Sequence, residues 1–251
     1  MKNDAESAKK AIIEVRGLYK YYKVGTEYVH ALDGVDFSIY KGEFCAIVGP
    51  SGSGKSTLLN MLAGLEKPTK GEIIIAGKHI EKLGENQLVA FRREHVGFIF
   101  QSYNLLQTMN AIDNVAMPLM FRGVPKKKRQ ELAAKYLKLV GLEKQMKQKG
   151  NAMSGGQQQR VGIARALAMH PKIIFADEPT GNLDTKTTAE VLALMRRIVR
   201  EENQTLIMVT HDTKIAEFAD RRIHIVDGKI FNQEEVQRSS SASPVFYRTE
   251  E

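Results

Sequence analysis

The hydrophobic positions of this chain change period several times along its length. Ile12, Ile13 and Val15, with Glu14 between them, give the near-alternation of a strand. Residues 28–32 and 35–39 read as two short strands separated by Asp33-Gly34, and Tyr40-Lys41-Gly42 as a turn. Residues 44–48 form a continuous apolar run, the pattern of a strand covered on both faces. A glycine-rich loop follows, then a helical stretch over 57–65, a strand over 71–76 and a turn at Gly77. From about 81 to 150 the pattern is mostly helical. Leu132, Tyr136, Leu137 and Val140 fall on one face there, and Pro125 stands where a first helical residue is expected. Strands at 172–176 and 205–209 flank a helical stretch over 187–200. Residues 223–226, Asp227-Gly228 and 229–231 read as a hairpin. The alternation of strand and helix implies an α/β fold with a parallel sheet and helices on both faces. One domain over 12–232 is expected. Residues 1–11 read as a flexible start, and the polar stretch 233–251, with Ser239-Ser240-Ser241, as a disordered tail.

Composition narrows the function classes. The chain has 251 residues, 43% hydrophobic and 26% charged, the ordinary mix of a chain that buries a core. No apolar run reaches the ~18 residues of a spanning helix. The start carries acids and no apolar stretch, so it is not expected to be a secretory leader. The lone Cys45 excludes an intramolecular disulfide and a four-cysteine metal site. An intracellular protein is expected. A net charge of +8 draws polyanions. However, tryptophan is absent and aromatics are 7%, so platforms for stacking single-stranded nucleic acid are not prominent.

Two segments carry chemistry. Gly49-Pro50-Ser51-Gly52-Ser53-Gly54-Lys55-Ser56 fits G-x-x-x-x-G-K-[ST], between a buried strand and a helix. Glycines let backbone N–H groups close on phosphate oxygens, and the helix N-terminus adds positive potential. Lys55 can reach β- and γ-phosphates, and the Ser56 hydroxyl can ligate Mg²⁺. Further on, the apolar strand Ile173-Ile174-Phe175-Ala176 ends in Asp177-Glu178. Carboxylates at the C-terminal end of a parallel strand sit where such sheets bind ligands. Asp177 would help hold Mg²⁺ through water, and Glu178 could orient and deprotonate an attacking water.

A third segment, Met153-Ser154-Gly155-Gly156-Gln157-Gln158-Gln159-Arg160, resembles the signature sequence of ATP-binding cassette (ABC) ATPases. Other motifs of that family follow in its order. Gln101 matches the Q-loop glutamine, Gly181-Asn182-Leu183-Asp184 the D-loop, and His211 the switch histidine. Tyr22 fits the aromatic that stacks on adenine. Tyr21 competes for that role, and Tyr22 is preferred because Gly25 follows at the family's usual distance. The resemblance covers about 12–231. The segments 92–101 and 176–184 look like the ATPase subunits of lipoprotein-release and macrolide-export systems. Met153 stands where the signature normally has leucine, a near-isosteric change.

The resemblance implies a P-loop ABC-ATPase fold with a RecA-like core, an antiparallel β subdomain and a helical subdomain inserted at about 84–160. It implies ATP and Mg²⁺ as cofactors. Glu178, His211, Gln101 and Lys55 would be catalytic, and Ser56, Gln101 and Asp177 would serve the metal. Tyr22, Gly49, Ser51, Gly52, Ser53, Gly54, Lys55, Ser56, Thr57 and Gln101 would contact the nucleotide, as would Ser154, Gly155, Gly156, Gln157 and Asp184 from the opposite copy of a head-to-tail dimer. A separate membrane permease would dock near 102–124, which holds Tyr103, Leu105, Leu106, Met109, Met117, Leu119, Met120 and Phe121, although most of these side chains also suit the core of the helical subdomain itself. The basic run 126–129 reads as a solvated face, with a place beside anionic headgroups as the alternative. The expected location is the cytoplasmic face of the inner membrane, held there by the permease. Nucleic acid is not an expected partner. A soluble ABC ATPase acting on nucleic acid or ribosomes is the alternative; its known kinds carry inserts or a second cassette, which this chain lacks.

Overall fold

The computed structural model describes residues 11–236. The expectations for 1–10 and 237–251 lie outside the described residues. Ala11 already belongs to a strand, and the last strand runs through Glu235, so strand structure extends past 12–232 at both ends.

Two sheets organise the chain. The smaller is antiparallel, in the order β2 (Glu27–Tyr40), β1 (Ala11–Val24), β4 (Lys70–Ile75), β5 (Lys78–His79). β2 was expected as two strands and is one. Leu18 pairs with Val35 and Tyr19 with Asp33, so Gly34 is an extra residue bulged out of the ladder. Its φ of 72° is a left-handed value that glycine adopts at little cost.

The larger sheet has six strands in the order β10 (Lys229–Glu235), β9 (Arg221–Val226), β3 (Phe44–Val48), β8 (Thr205–Thr210), β7 (Ile173–Asp177), β6 (Val96–Phe100). All neighbours are parallel except the hairpin β9–β10. β6 corrects the sequence reading, which had 84–160 as a helical unit. Val96-Gly97-Phe98-Ile99-Phe100 is a β-branched and aromatic run that completes the main sheet at its edge.

The central strands are buried on both faces, and their side chains divide by alternation between two cores. Phe44, Ala46, Val48, Leu206 and Met208 face one cluster, shared with the helical segment. Cys45, Ile47, Ile207 and Val209 face the other, shared with β1, β2 and α1 (Lys55–Leu62). α2 (Glu85–His95) joins this second cluster through Leu88 and Phe91. α3 (Ala111–Phe121), α4 (Lys126–Leu139) and α5 (Gly155–Leu167) build the first. Pro125 caps α4 from just outside it, one place earlier than expected. Met153 is buried in the same cluster, where a leucine would also fit. α6 (Thr185–Glu201) follows β7, and the short α7 (Thr213–Ala216) follows β8.

Candidate nucleotide site

The site grows from the C-terminal ends of four adjacent parallel strands. Val48 pairs with Thr210, Val209 with Asp177, and Asp177 with Phe100. The next residues along these strands are Gly49, His211, Glu178 and Gln101. Neighbouring strands lie about 4.8 Å apart, so these residues line one edge of the sheet. Ligands of open α/β sheets bind at this edge.

The phosphate loop, between β3 and α1, is clamped by its surroundings. A Cβ at Gly49 would strike the carbonyl of Ile225 on β9, and one at Gly54 the carbonyl of Ala31 on β2. Gly54, at φ 96°, precedes α1 and offers no side-chain cap, so the first N–H groups of the helix stay available. Ser53 Oγ is buried with no partner. An orphaned hydroxyl and free helix N–H groups suit a phosphate. Lys55 is 7% exposed, and its Nζ donates to the Pro50 carbonyl at 2.7 Å. Burial pushes the Lys55 amine below its ordinary pKa, while Glu178 and Asp177 pull it back up.

The two carboxylates differ in their surroundings. Burial raises the Asp177 pKa, with Glu178 adding to the rise and Lys55 opposing it. A divalent cation beside Asp177 and Ser56 would relieve that strain, so the donor set fits Mg²⁺. Among the described residues no group of three or more His, Cys, Asp or Glu could hold a metal. A cation here would therefore depend on nucleotide oxygens and water, the usual habit of Mg²⁺. Glu178 has a left-handed φ of 45°, unusual for a non-glycine residue. Its N–H donates to Val209 O, and its Oε1 accepts from the His211 N–H at 3.1 Å and lies 2.8 Å from His211 Nδ1. Thr210 Oγ1 adds a longer contact to Oε2, at 3.4 Å.

Tyr22 and Tyr21 separate clearly. The Tyr22 phenol donates to Glu66 at 2.7 Å, lies within hydrogen-bonding reach of Thr57 on α1, and carries the Lys20 amine 5.0 Å above its ring. Tyr21 packs instead on His30 and Tyr19. Gln101 lays its side chain along the D-loop: a Cβ at Gly181 would stand 2.6 Å from Gln101 Nε2. Asn182 Nδ2 donates to the Gln101 carbonyl at 3.1 Å.

Ser154, Gly155, Gly156 and Gln157 gather elsewhere, at the start of α5. Ser154 caps this helix in a reciprocal pair with Gln157. The neighbours of this turn are Tyr103, Leu183 and Thr187, not the phosphate loop. Asp184 caps α6 by accepting from Thr187 N at 2.9 Å and Thr187 Oγ1 at 2.7 Å, which holds its carboxyl below the usual range. The chain thus presents two separate helix starts, an uncapped one at the phosphate loop and a capped one at α5.

Several supporting residues escaped sequence reading. Gln159 is fully buried and donates to Pro179 O at 2.5 Å. Arg165 donates to the carbonyls of Tyr103 and Asn104, both in left-handed conformations. Thr210 carried a faint signal, a polar residue closing an apolar strand.

Comparison with known proteins follows the same lines. A family model described as ABC transporter matches residues 32–181. An uncharacterized ABC transporter ATP-binding protein of Thermotoga maritima is 47% identical over 221 residues, 88% of this chain and 94% of that protein. The macrolide export ATP-binding/permease protein MacB of Photorhabdus laumondii is 45% identical over 229 residues; the match covers 91% of this chain and 35% of that protein. Among solved structures, the dimeric ATP-binding cassette MJ0796 of Methanocaldococcus jannaschii, in a post-hydrolysis state bound to ADP and Pi, is similar with a TM-score of 0.82. It is 41% identical, and the match covers 90% of this chain and 100% of that one.

Proposed function

This chain belongs to the ABC transporter family as an ATP-binding, ATP-hydrolysing subunit, and from that premise we propose that it works as a head-to-tail dimer that energises a separate membrane permease of the lipoprotein-release or macrolide-export type. The observation that carries the reading is the separation of the phosphate loop from the Ser154-Gly155-Gly156 turn. The phosphate loop and Glu178 lie at the sheet edge, while Ser154, Gly155 and Gly156 open α5 among other neighbours. Two copies facing each other complete two sites, each with one surface from each copy. A relative solved as a dimer with ADP and Pi supports this arrangement. A relative named as a combined ATP-binding/permease protein supports a permease partner. Among the described residues no helix is long and apolar enough to cross a membrane, so in this reading the spans come from another chain and hold this one at the cytoplasmic face.

The chemistry assigned to the residues is mostly positioning and charge neutralisation. Lys55 and the first N–H groups of α1 hold the β- and γ-phosphates. Tyr22 stacks on the base. Glu178, fixed by the His211 backbone N–H, orients the attacking water and takes its proton. His211 reaches the γ-phosphate, and Gln101 leaves Gly181 to meet the attacking water. Ser56 and Asp177 would hold Mg²⁺, which when bound would neutralise phosphate charge. On the outside, Leu106, Met109, Met120 and Phe121 are exposed within 102–124 and form the proposed permease contact, whereas Leu105 and Leu119 are buried and belong to the core.

The deciding experiment uses Glu178→Gln. With ATP it should migrate as a dimer in size-exclusion chromatography and hydrolyse slowly. Captured from detergent-solubilised membranes, it should bring down a stoichiometric multi-span protein. A monomer in saturating ATP with unchanged turnover would overturn the dimer reading, and recovery of ribosomes or nucleic acid alone would overturn the permease reading.

A further inference from the structure

Gly155, Gly156 and Gln159, in the first turn and a half of α5, face the segment that runs from the catalytic carboxylate into α6. A Cβ at Gly155 would stand 2.7 Å from Tyr103 Oη and 3.4 Å from Leu183 Cδ2. Tyr103 Oη itself lies 3.4 Å from Asn182 O. A Cβ at Gly156 would collide with Thr187 Cγ2. Gln159 donates to Pro179 O, the residue after Glu178. One turn along both helices, Arg160 Nη2 pairs with Glu190 Oε2 at 2.9 Å, while Arg160 Nη1 donates to Val140 O at 3.3 Å.

Thr187 is the tightest of these contacts and the least able to give way. Its Oγ1 donates to Asp184 Oδ2 at 2.7 Å, and its N–H to Asp184 Oδ1 at 2.9 Å. A hydroxyl and a methyl share its Cβ, so moving the methyl away from α5 takes the hydroxyl off Asp184. Added bulk at position 156 must then either part the two helices or unlock the D-loop aspartate.

We propose that the start of α5 and the Pro179–Glu190 segment form one rigid block, with Thr187 as the positioning residue that sets Ser154 and Asp184 at a fixed separation for the partner copy. The position of Gly156 is then constrained by the Thr187 methyl of its own chain as well as by any phosphate across the interface. The inference rests on the head-to-tail dimer reading and deepens it.

The test is a double-mutant cycle on the full chain, read as kcat and KM for ATP hydrolysis and as ATP affinity of the isolated monomer. Gly156→Ala should lower kcat by about tenfold or more, because a displacement of about 1 Å at a composite site costs rate steeply. Its monomer should bind ATP as the parent does, since the phosphate loop is untouched. Thr187→Ser removes the methyl but keeps the hydroxyl on Asp184, so it should lower kcat by less than Gly156→Ala does. Combined, Gly156→Ala/Thr187→Ser should recover most of the lost kcat. A clash of the new methyl with the phosphate across the interface would not be rescued by deleting the Thr187 methyl, and a loss of fold would lower the ATP affinity of the monomer as well. A double variant as slow as Gly156→Ala, or a Gly156→Ala enzyme as fast as the parent, overturns the inference alone. If Glu178→Gln forms no ATP dimer, the functional reading falls and this inference with it.

Discussion

Lys55 shows how much one residue depends on its setting. Its amine is nearly buried, leans on the Pro50 carbonyl, and is held between desolvation and two carboxylates. A charged hydrogen bond to phosphate is worth about 1.5–3 kcal/mol. Lys55→Ala should therefore weaken ATP binding by about tenfold to a hundredfold, measured by titration with a fluorescent ATP analogue; unchanged affinity would take Lys55 out of the phosphate site. This residue was legible in sequence because the loop motif has fixed spacing. The strain at Glu178 was not legible. Its left-handed backbone goes with an N–H bonded to Val209 O and a carboxylate that accepts the His211 N–H, and both partners lie more than 30 residues away. Gln159 and Arg165 were hidden for a similar reason. A glutamine or arginine in a helical pattern reads as surface until its partners, the Pro179, Tyr103 and Asn104 carbonyls, are known.

At the scale of elements, the strands with strong local signals were legible: β3 is an apolar run of five residues, and β7 and β8 each hold four apolar residues in a row. β6 was not, because its five residues sit between α2 and the loop leading to α3, and helical periodicity on both sides masks them. What makes it a strand is pairing with β7, a contact between residues far apart in sequence. The same distance hid the continuity of β2, where Asp33-Gly34 has the composition of a turn but makes a bulge. β6 also carries a close approach. A Cβ at Gly97 would stand 2.9 Å from the Ala166 carbonyl of α5 and 3.0 Å from Pro171 Cγ. Gly97→Ala should cost about 1–3 kcal/mol by overpacking. A urea titration checks this, with an earlier midpoint and an unchanged slope as the expected result.

For the whole molecule, the main sheet is a wall with a packed core on each face, and the chemistry is gathered along one of its edges. That layout was implied by the alternation of strands and helices; the interlock of α5 with the D-loop segment was not, because it depends on which glycine faces which methyl. Cys45 lies inside the wall on β3, with no exposed surface, and burial pushes its thiol pKa far up. Thiolate is the reactive form, so the chain's single sulfhydryl is chemically silent while the fold holds. This makes the protein a ready scaffold for site-specific dyes. The parent should take up no maleimide in native buffer and one per chain in guanidinium. A cysteine placed at Phe231, which is 81% exposed on β10, should add one label per chain without removing Cys45. Mass spectrometry counts the labels, and native labelling of the parent would show that the wall opens. With one fluorophore per copy, energy transfer between two copies becomes a ruler for their approach and separation through a catalytic cycle.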